Sequence, residues 1–263
     1  MSAFVSRVVV AALLLPPVFL TVWAGGWWFF ALAAAVAVVA LHEFYGMTRR
    51  FRPVLLAGYA GTVAALLGAA WGPEWALGGF LATFGFTFVF KGLSGAPPTT
   101  ESIAATVLGA AWIGLGLAHM IFIREIPEHG VLAAFTVLLT VFAADTFAYF
   151  AGRLIGRHKL APRTSPGKTW EGLVAGTVAA VLVPFFAFYE ESFLDVPESL
   201  ILGGAIAVAA PLGDLFESAL KRDAGIKDTG RLLLGHGGML DRLDALLFAA
   251  VASYYVLLAF GAA

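Results

Sequence analysis

Residues 130–152 read GVLAAFTVLLTVFAADTFAYFAG, a run carrying a single formal charge, at Asp145. A membrane-spanning helix needs about 20 predominantly apolar residues, so this stretch alone predicts one. Similar runs recur on both sides of it. Residues 5–22, 26–45, 54–70, 75–90, 103–123, 169–189, 200–220 and 239–260 bring the expected number to about nine. Short Gly, Pro or charged clusters separate them, and no hydrophilic stretch is long enough for a separate soluble domain. The expected fold class is therefore all-α: a polytopic integral membrane protein, one membrane-embedded domain over residues 1–263.

Composition agrees. Of 263 residues, 60% are hydrophobic and 13% charged, against about half and about a quarter in soluble domains. Such a chain cannot cover itself with polar groups in water, so lipid is its solvent. The net charge of −1 offers no basic field for nucleic acid. With no cysteine, disulfides, thiolate catalysis and thiolate metal sites are excluded. Any metal must sit among carboxylates, imidazoles and substrate oxygens, which favours a hard ion such as Mg²⁺. The first 20 residues resemble a signal peptide, but Pro16-Pro17 interrupts them and more apolar spans follow. A retained first helix is the expectation.

Orientation follows from Lys and Arg. With the N-terminus cytoplasmic, Arg7, Arg49, Arg50, Arg52, Lys91, Arg153, Arg157, Lys159, Arg163, Lys168, Lys221, Arg222, Lys227, Arg231 and Arg242 all fall inside. Arg124 is the one exception among sixteen. Trp23, Trp27, Trp28, Trp71 and Trp75 sit at span ends, as an interfacial belt requires.

Polar chemistry concentrates in two of the inside connections. The first runs from Asp145 through Gly152-Arg153 and Gly156-Arg157-His158-Lys159 to Ser165-Pro166-Gly167-Lys168-Thr169-Trp170-Glu171-Gly172. Guanidinium, ammonium and hydroxyl groups punctuated by glycine suit phosphate oxygens. Ser165, Lys168 and Thr169 lie at the entrance to the next helix, whose N-terminal N–H groups also favour an anion. A basic cytoplasmic loop needs no site to explain it, but Asp145 does. A carboxylate inside an apolar span requires a polar cavity or a partner.

The second, residues 213–244, reads GDLFESALKRDAGIKDTGRLLLGHGGMLDRLD. Asp214, Glu217 and Ser218 share a helix face, continued by Lys221. Asp241 and Asp244 are likewise three apart and are expected on the following helix. Two helices that each bring two carboxylates to one turn repel unless a cation lies between them, and oxygen ligands point to Mg²⁺. Ion pairs with Lys221, Arg222 or Arg242 would account for some of these acids, at a large desolvation cost. Asp223 and Asp228, in the turn, suit solvated or capping roles. Gly237 and Gly238 allow backbone N–H groups to approach an anion. His236 between the glycines suits phosphate donation, metal binding or proton shuttling, and the sequence does not choose. His42-Glu43, at the end of the second span, is a weaker polar pair.

These residues resemble a known family, the phosphatidate cytidylyltransferases or CDP-diacylglycerol synthases. Its signature is matched by Ser218, Lys221-Arg222, Lys227-Asp228, His236-Gly237-Gly238 and Asp241-Arg242-Leu243-Asp244. Leu234 stands where a proline or small residue is usual. Residues 145–172 resemble the family's second marked region, with Gly167 where a second polar residue is often found. Together the two regions cover about a quarter of the chain.

The resemblance implies an all-helical membrane homodimer requiring Mg²⁺, with Asp214 and Asp241 as ligands and Asp244 and Lys221 in or beside the site. The expected reaction joins CTP and phosphatidic acid into CDP-diacylglycerol with loss of pyrophosphate, at the cytoplasmic face of a bacterial inner membrane. Lys221, Arg222, His236 and Asp244 are the expected catalytic residues. Ser165, Lys168, Thr169, Ser218, Lys227, Gly237, Gly238 and Arg242 are expected to bind substrate. Asp145, Glu171 and Glu217 stand as further metal ligands or their neighbours, and a second, monovalent cation can be accommodated. The alternatives are a CTP-dependent lipid kinase, a cytidylyltransferase for another lipid phosphate and, from another class, an ion-coupled transporter. The transporter fits poorly, because the charges crowd two connections on one face and no repeat is visible.

Overall fold

A computed structural model describes residues 15–94, 99–230 and 237–263. Among the described residues the chain is almost wholly helical and membrane-spanning in character, with six long apolar helices and three shorter ones. In chain order these are α1 (Leu15–Ala24), α2 (Gly26–Met47), α3 (Leu55–Ala69), α4 (Pro73–Leu93), α5 (Thr100–Arg124), α6 (Gly130–Leu154), α7 (Trp170–Phe188), α8 (Val196–Asp223) and α9 (Asp244–Ala259). Every apolar run of the sequence corresponds to one of them. The part of the first run that precedes Leu15 lies outside the described residues, as does Arg7.

Two compact units form. The first takes in residues up to 125 together with 224–243, and the second takes in 126–223 with 244–263. In lipid, helices associate by close packing of small residues, since apolar burial offers little advantage there. Within the first unit α3 and α4 follow that rule. A Cβ on Gly61 would strike Thr83, one on Gly68 the backbone of Trp75, and one on Gly79 the backbone of Ala64. On α4 only Ala76, Thr83 and Thr87 are buried, whereas Leu77, Leu81, Phe84, Phe88 and Val89 are exposed. Small residues inside and large apolar ones outside is the pattern of a lipid-facing helix. The five span-end tryptophans are all exposed as well.

Helix α5 changes to π-helical winding at Ala110–Leu115. It also anchors the α2–α3 connection. Tyr45 Oη donates to the Thr106 carbonyl at 2.9 Å, Ser102 Oγ to the Arg52 carbonyl at 2.6 Å, and the Val54 N–H to Thr106 Oγ1 at 2.8 Å. Arg124, the exception to the charge bias, has a local task. Its Nε donates to the Val22 carbonyl and its Nη2 to that of Trp23 at 3.0 Å. Those carbonyls belong to the last turn of α1, which has no intrahelical donors for them. Glu125 accepts the Gly26 N–H at 3.2 Å, at the start of α2.

The second unit packs α6–α9 through Gly and Ala. Ala144, Ala180 and Ala207 form a buried cluster, and Gly213 meets the backbone of Asp244, so that α8 and α9 lie very close there. Between α6 and α7 stands a feature that the sequence expectation lacks. It is an antiparallel hairpin of β1 (Lys159–Ala161) and β2 (Ser165–Thr169), with Lys159 opposite Thr169 and Ala161 opposite Ser165. Such short strands, the second holding Pro166 and Gly167, carry no period-two pattern. Backbone pairing alone forms them.

Candidate active site

In the second unit, the C-terminal third of α8 presents Asp214, Glu217, Ser218 and Lys221 on one face, as their spacing predicts. Ser218 Oγ donates to Asp214 Oδ1 at 3.2 Å, and Lys221 Nζ pairs with Glu217 Oε2 at 2.6 Å. Glu217 is fully buried and Asp244, opening α9, is 9% exposed. The carboxyl groups of Glu217 and Asp214 lie close enough to that of Asp244 to interact with it electrostatically. Carboxylates gathered this closely repel unless positive charge lies among them, and the Lys221 ammonium supplies part of it.

The hairpin delivers a second ammonium to this acid cluster. Lys168 Nζ pairs with Asp214 Oδ2 at 2.6 Å. Ser165 through Thr169 lie in strand β2 and not in the helix entrance expected for all three. Only Thr169 caps the helix: it is 4% exposed, and its Oγ1 accepts the Gly172 N–H at 3.1 Å. Arg222 Nε donates to the Thr164 carbonyl at 3.2 Å, which ties the hairpin turn to the end of α8. Glu171 is engaged by His158, whose Nδ1 lies 2.7 Å from Glu171 Oε1. Asp145 is on an exposed face of α6.

The first unit holds a different knot. Asp241 does not share a helix with Asp244: it sits in a 3₁₀ turn, Leu240–Arg242, and α9 begins only at Asp244. The physical reason is that the Asp241 carboxylate is bonded backwards. Its Oδ2 accepts the Gly238 N–H at 2.7 Å, the Thr229 N–H at 3.1 Å and the Thr229 Oγ1 hydroxyl at 3.0 Å. Beside it is a residue the sequence marked only weakly. Glu43 of α2, 8% exposed, accepts the Met239 N–H on Oε1 at 3.0 Å and the Leu240 N–H on Oε2 at 2.9 Å. Thr229 Oγ1 lies 3.3 Å from the same Oε2.

Two intramembrane-type carboxylates thus press against a glycine-rich backbone, and the glycines are needed for it. Gly237 has φ +79°, and a Cβ there would meet Asp241 Oδ2. A Cβ on Gly238 would overlap both Glu43 Oε2 and Thr229 Oγ1, and one on Gly230 would overlap Glu43 Oε1. The Gly238 N–H, expected to approach a substrate anion, is held instead by Asp241, and the Met239 and Leu240 N–H groups beside it are held by Glu43. Lys227 and Arg242 are exposed. His236 and Arg231 lie outside the described residues.

Sequence reasoning passed over Glu43 and Thr229 as site residues. An acid in an apolar span was the signal available for Glu43. Thr229 had none, since a threonine in a turn is unremarkable until its partners are seen.

Among the described residues no three carboxylate or imidazole groups stand in a metal-holding arrangement. Asp214 is engaged by Lys168 and Ser218, Glu217 by Lys221, and Asp241 by Thr229 and Gly238. The donor chemistry nonetheless fits Mg²⁺. All the candidate ligands are hard oxygens, the donor type that Mg²⁺ takes.

A family model described as the cytidylyltransferase family matches residues 5–260. Similar proteins include the phosphatidate cytidylyltransferase of Mycobacterium bovis, 36% identical over 249 residues, covering 84% of this chain and 78% of that one. That of Mycobacterium leprae is 40% identical over 168 residues, covering 61% and 52%. That of Haemophilus influenzae is 43% identical over 128 residues, covering 47% and 44%. The matched part of this chain spans about half the length of the latter two relatives. With the charged signature, the helices and a match running nearly from end to end all in agreement, the chain belongs to the cytidylyltransferase family.

Proposed function

We propose that the chain catalyses CTP + phosphatidic acid → CDP-diacylglycerol + pyrophosphate. Its relatives carry the name of that activity, and the acid cluster around Asp214 is the observation that carries the reading. Three carboxyl groups (Asp214, Glu217, Asp244) and two ammonium groups (Lys168, Lys221) gather there, in a lipid-bound fold, beside a basic hairpin. With all five ionised the sum is −1. Such a cluster can exchange internal ion pairs for a cation and a polyphosphate without leaving charge uncompensated.

A phosphate oxygen of phosphatidic acid attacks the α-phosphorus of CTP. The bond from that phosphorus to the bridging oxygen breaks, and pyrophosphate leaves with the electron pair. The nucleophile is already anionic near neutral pH, because a phosphomonoester's second pKa is about 6, so no strong protein base is needed. Repulsion between the two phosphates is the obstacle, and catalysis is positioning with charge neutralisation. Asp214 and Asp241 would hold Mg²⁺, which when bound neutralises triphosphate oxygens. Lys168, released from Asp214, turns to phosphate. Lys221 and Arg222 hold the departing pyrophosphate, and the acyl chains stay in lipid.

The same reading includes a second, monovalent cation, a homodimer, and a cytoplasmic N-terminus and site in a bacterial inner membrane. The basic residues gathered around the two connections support the sidedness.

The test is purified protein in detergent with CTP, phosphatidic acid and Mg²⁺. CDP-diacylglycerol and pyrophosphate in equal amounts, abolished by EDTA, are expected. CDP with a newly phosphorylated lipid would make the protein a kinase. No product from folded protein would move the proposal to another lipid phosphate.

A further inference from the structure

We propose that Glu43 is a positioning residue for the turn that carries Asp241, acting through the backbone of Met239 and Leu240 and the hydroxyl of Thr229. Glu43 lies nearly 200 residues from that turn in the chain, on a spanning helix, and no residue of the family signature lies near it in sequence.

The described contacts all tie this carboxylate to the turn. Its described partners are all neutral: two backbone N–H donors, at 3.0 and 2.9 Å, and the Thr229 hydroxyl at 3.3 Å, which has a single proton to share between Glu43 and Asp241. A buried carboxylate is costly in an apolar span and is retained only where its bonds matter. Here they fix consecutive amides at the start of the Leu240–Arg242 turn. Thr229 is the link between the two acids. Its hydroxyl lies within hydrogen-bond distance of Glu43 and of Asp241, and its N–H also reaches Asp241. All three bonds given to Asp241 by Thr229 and Gly238 fall on Oδ2, which fixes the rotation of the carboxylate. A Cβ at Gly230 or Gly238 would collide with Glu43 itself, so both glycines are shaped to receive it. Outer groups of this kind orient a ligand without touching the metal.

The inference rests on the cytidylyltransfer reading, so wild-type protein is assayed alongside. Product from wild type keeps a failure of this proposal distinct from a failure of that one. Glu43→Ala, Glu43→Gln and Thr229→Val are made in the full chain. Each is characterised by kcat, KM for CTP, and the Mg²⁺ concentration that half-protects the protein from thermal unfolding.

Glu43→Ala is expected to lower kcat and raise that Mg²⁺ midpoint by roughly 10–100-fold, the scale of lost outer-shell support, with KM for CTP changing far less. Glu43→Gln keeps one acceptor oxygen and recovers part of both. Thr229→Val loses less than Glu43→Ala. Wild-type kcat and Mg²⁺ midpoint in folded Glu43→Ala, even with a lowered unfolding temperature, would reduce Glu43 to a structural role and overturn the proposal. If Glu43→Ala does not fold, wild-type values in both Glu43→Gln and Thr229→Val overturn it equally.

Discussion

Two buried glutamates in this molecule are satisfied in opposite ways. Glu217, in the second unit, meets the ammonium of Lys221 at 2.6 Å and lies near the carboxyl group of Asp244. Glu43, in the first, meets only neutral donors among its described partners, two of them backbone. Side-chain ammonium groups pair with the first kind of acid, and such pairings can be exchanged for those of a cation and a phosphate. Main-chain donors hold the second kind in place. Asp214 belongs with Glu217, since Lys168 reaches it from a hairpin. Asp241 belongs with Glu43, since glycine and threonine donors hold it. The two residues that the family resemblance makes metal ligands therefore come from one exchangeable environment and one rigid environment.

The comparison breaks first if neither aspartate matters. Asp214→Asn or Asp241→Asn is expected to lower kcat/KM by roughly 10²–10³-fold, the scale of losing one charge-stabilising group. Steady-state turnover in detergent measures it, and near-normal rates for either variant would remove that residue from the site. Next in size is stability on the ionic side. Glu217→Ala leaves the half-buried Lys221 without this partner and should cost up to about 3 kcal/mol, while Glu217→Met with Lys221→Met should restore most of it. Thermal unfolding of the single and double variants decides this. A double variant no more stable than Glu217→Ala would mean that the pair is not the unit.

On the rigid side, Gly238→Ala forces a Cβ into Glu43 and Thr229 and should cost about 1–3 kcal/mol as overpacking, with turnover falling too. Unchanged unfolding and turnover would show that the knot yields easily. The smallest effect tests the hairpin's footing. Thr169→Ala removes the cap on α7 and should lower stability by about 1 kcal/mol. KM for CTP should rise modestly, because Lys168 is the adjacent residue; an unchanged KM would separate the cap from the site.

Much of this was legible beforehand. Asp214, Glu217, Ser218 and Lys221 come together because helical spacing is local, and the structure joins them as the spacing said. Among the described residues the apolar runs became helices within a few residues, because apolar length is itself the constraint in a bilayer. Asp241 and Asp244 were misplaced on one helix, because the backward bonds to Gly238 and Thr229 that hold Asp241 out of it have no sequence period. Arg124 stood as an exception to the charge bias until its bonds to the end of α1 explained it.

The sequence by itself determined the solvent, the helices, the residue types available for chemistry and the family, because composition and local spacing carry all four. Only the tertiary structure decided the partners. It seated Glu43 against a glycine turn nearly 200 residues away, gave Lys168 to Asp214 through a hairpin, and turned the Gly238 amide, with its neighbours at Met239 and Leu240, onto the protein's own carboxylates. The physical reason is that a buried polar group must find its partner wherever the fold provides one, and nothing in the local sequence says where that is.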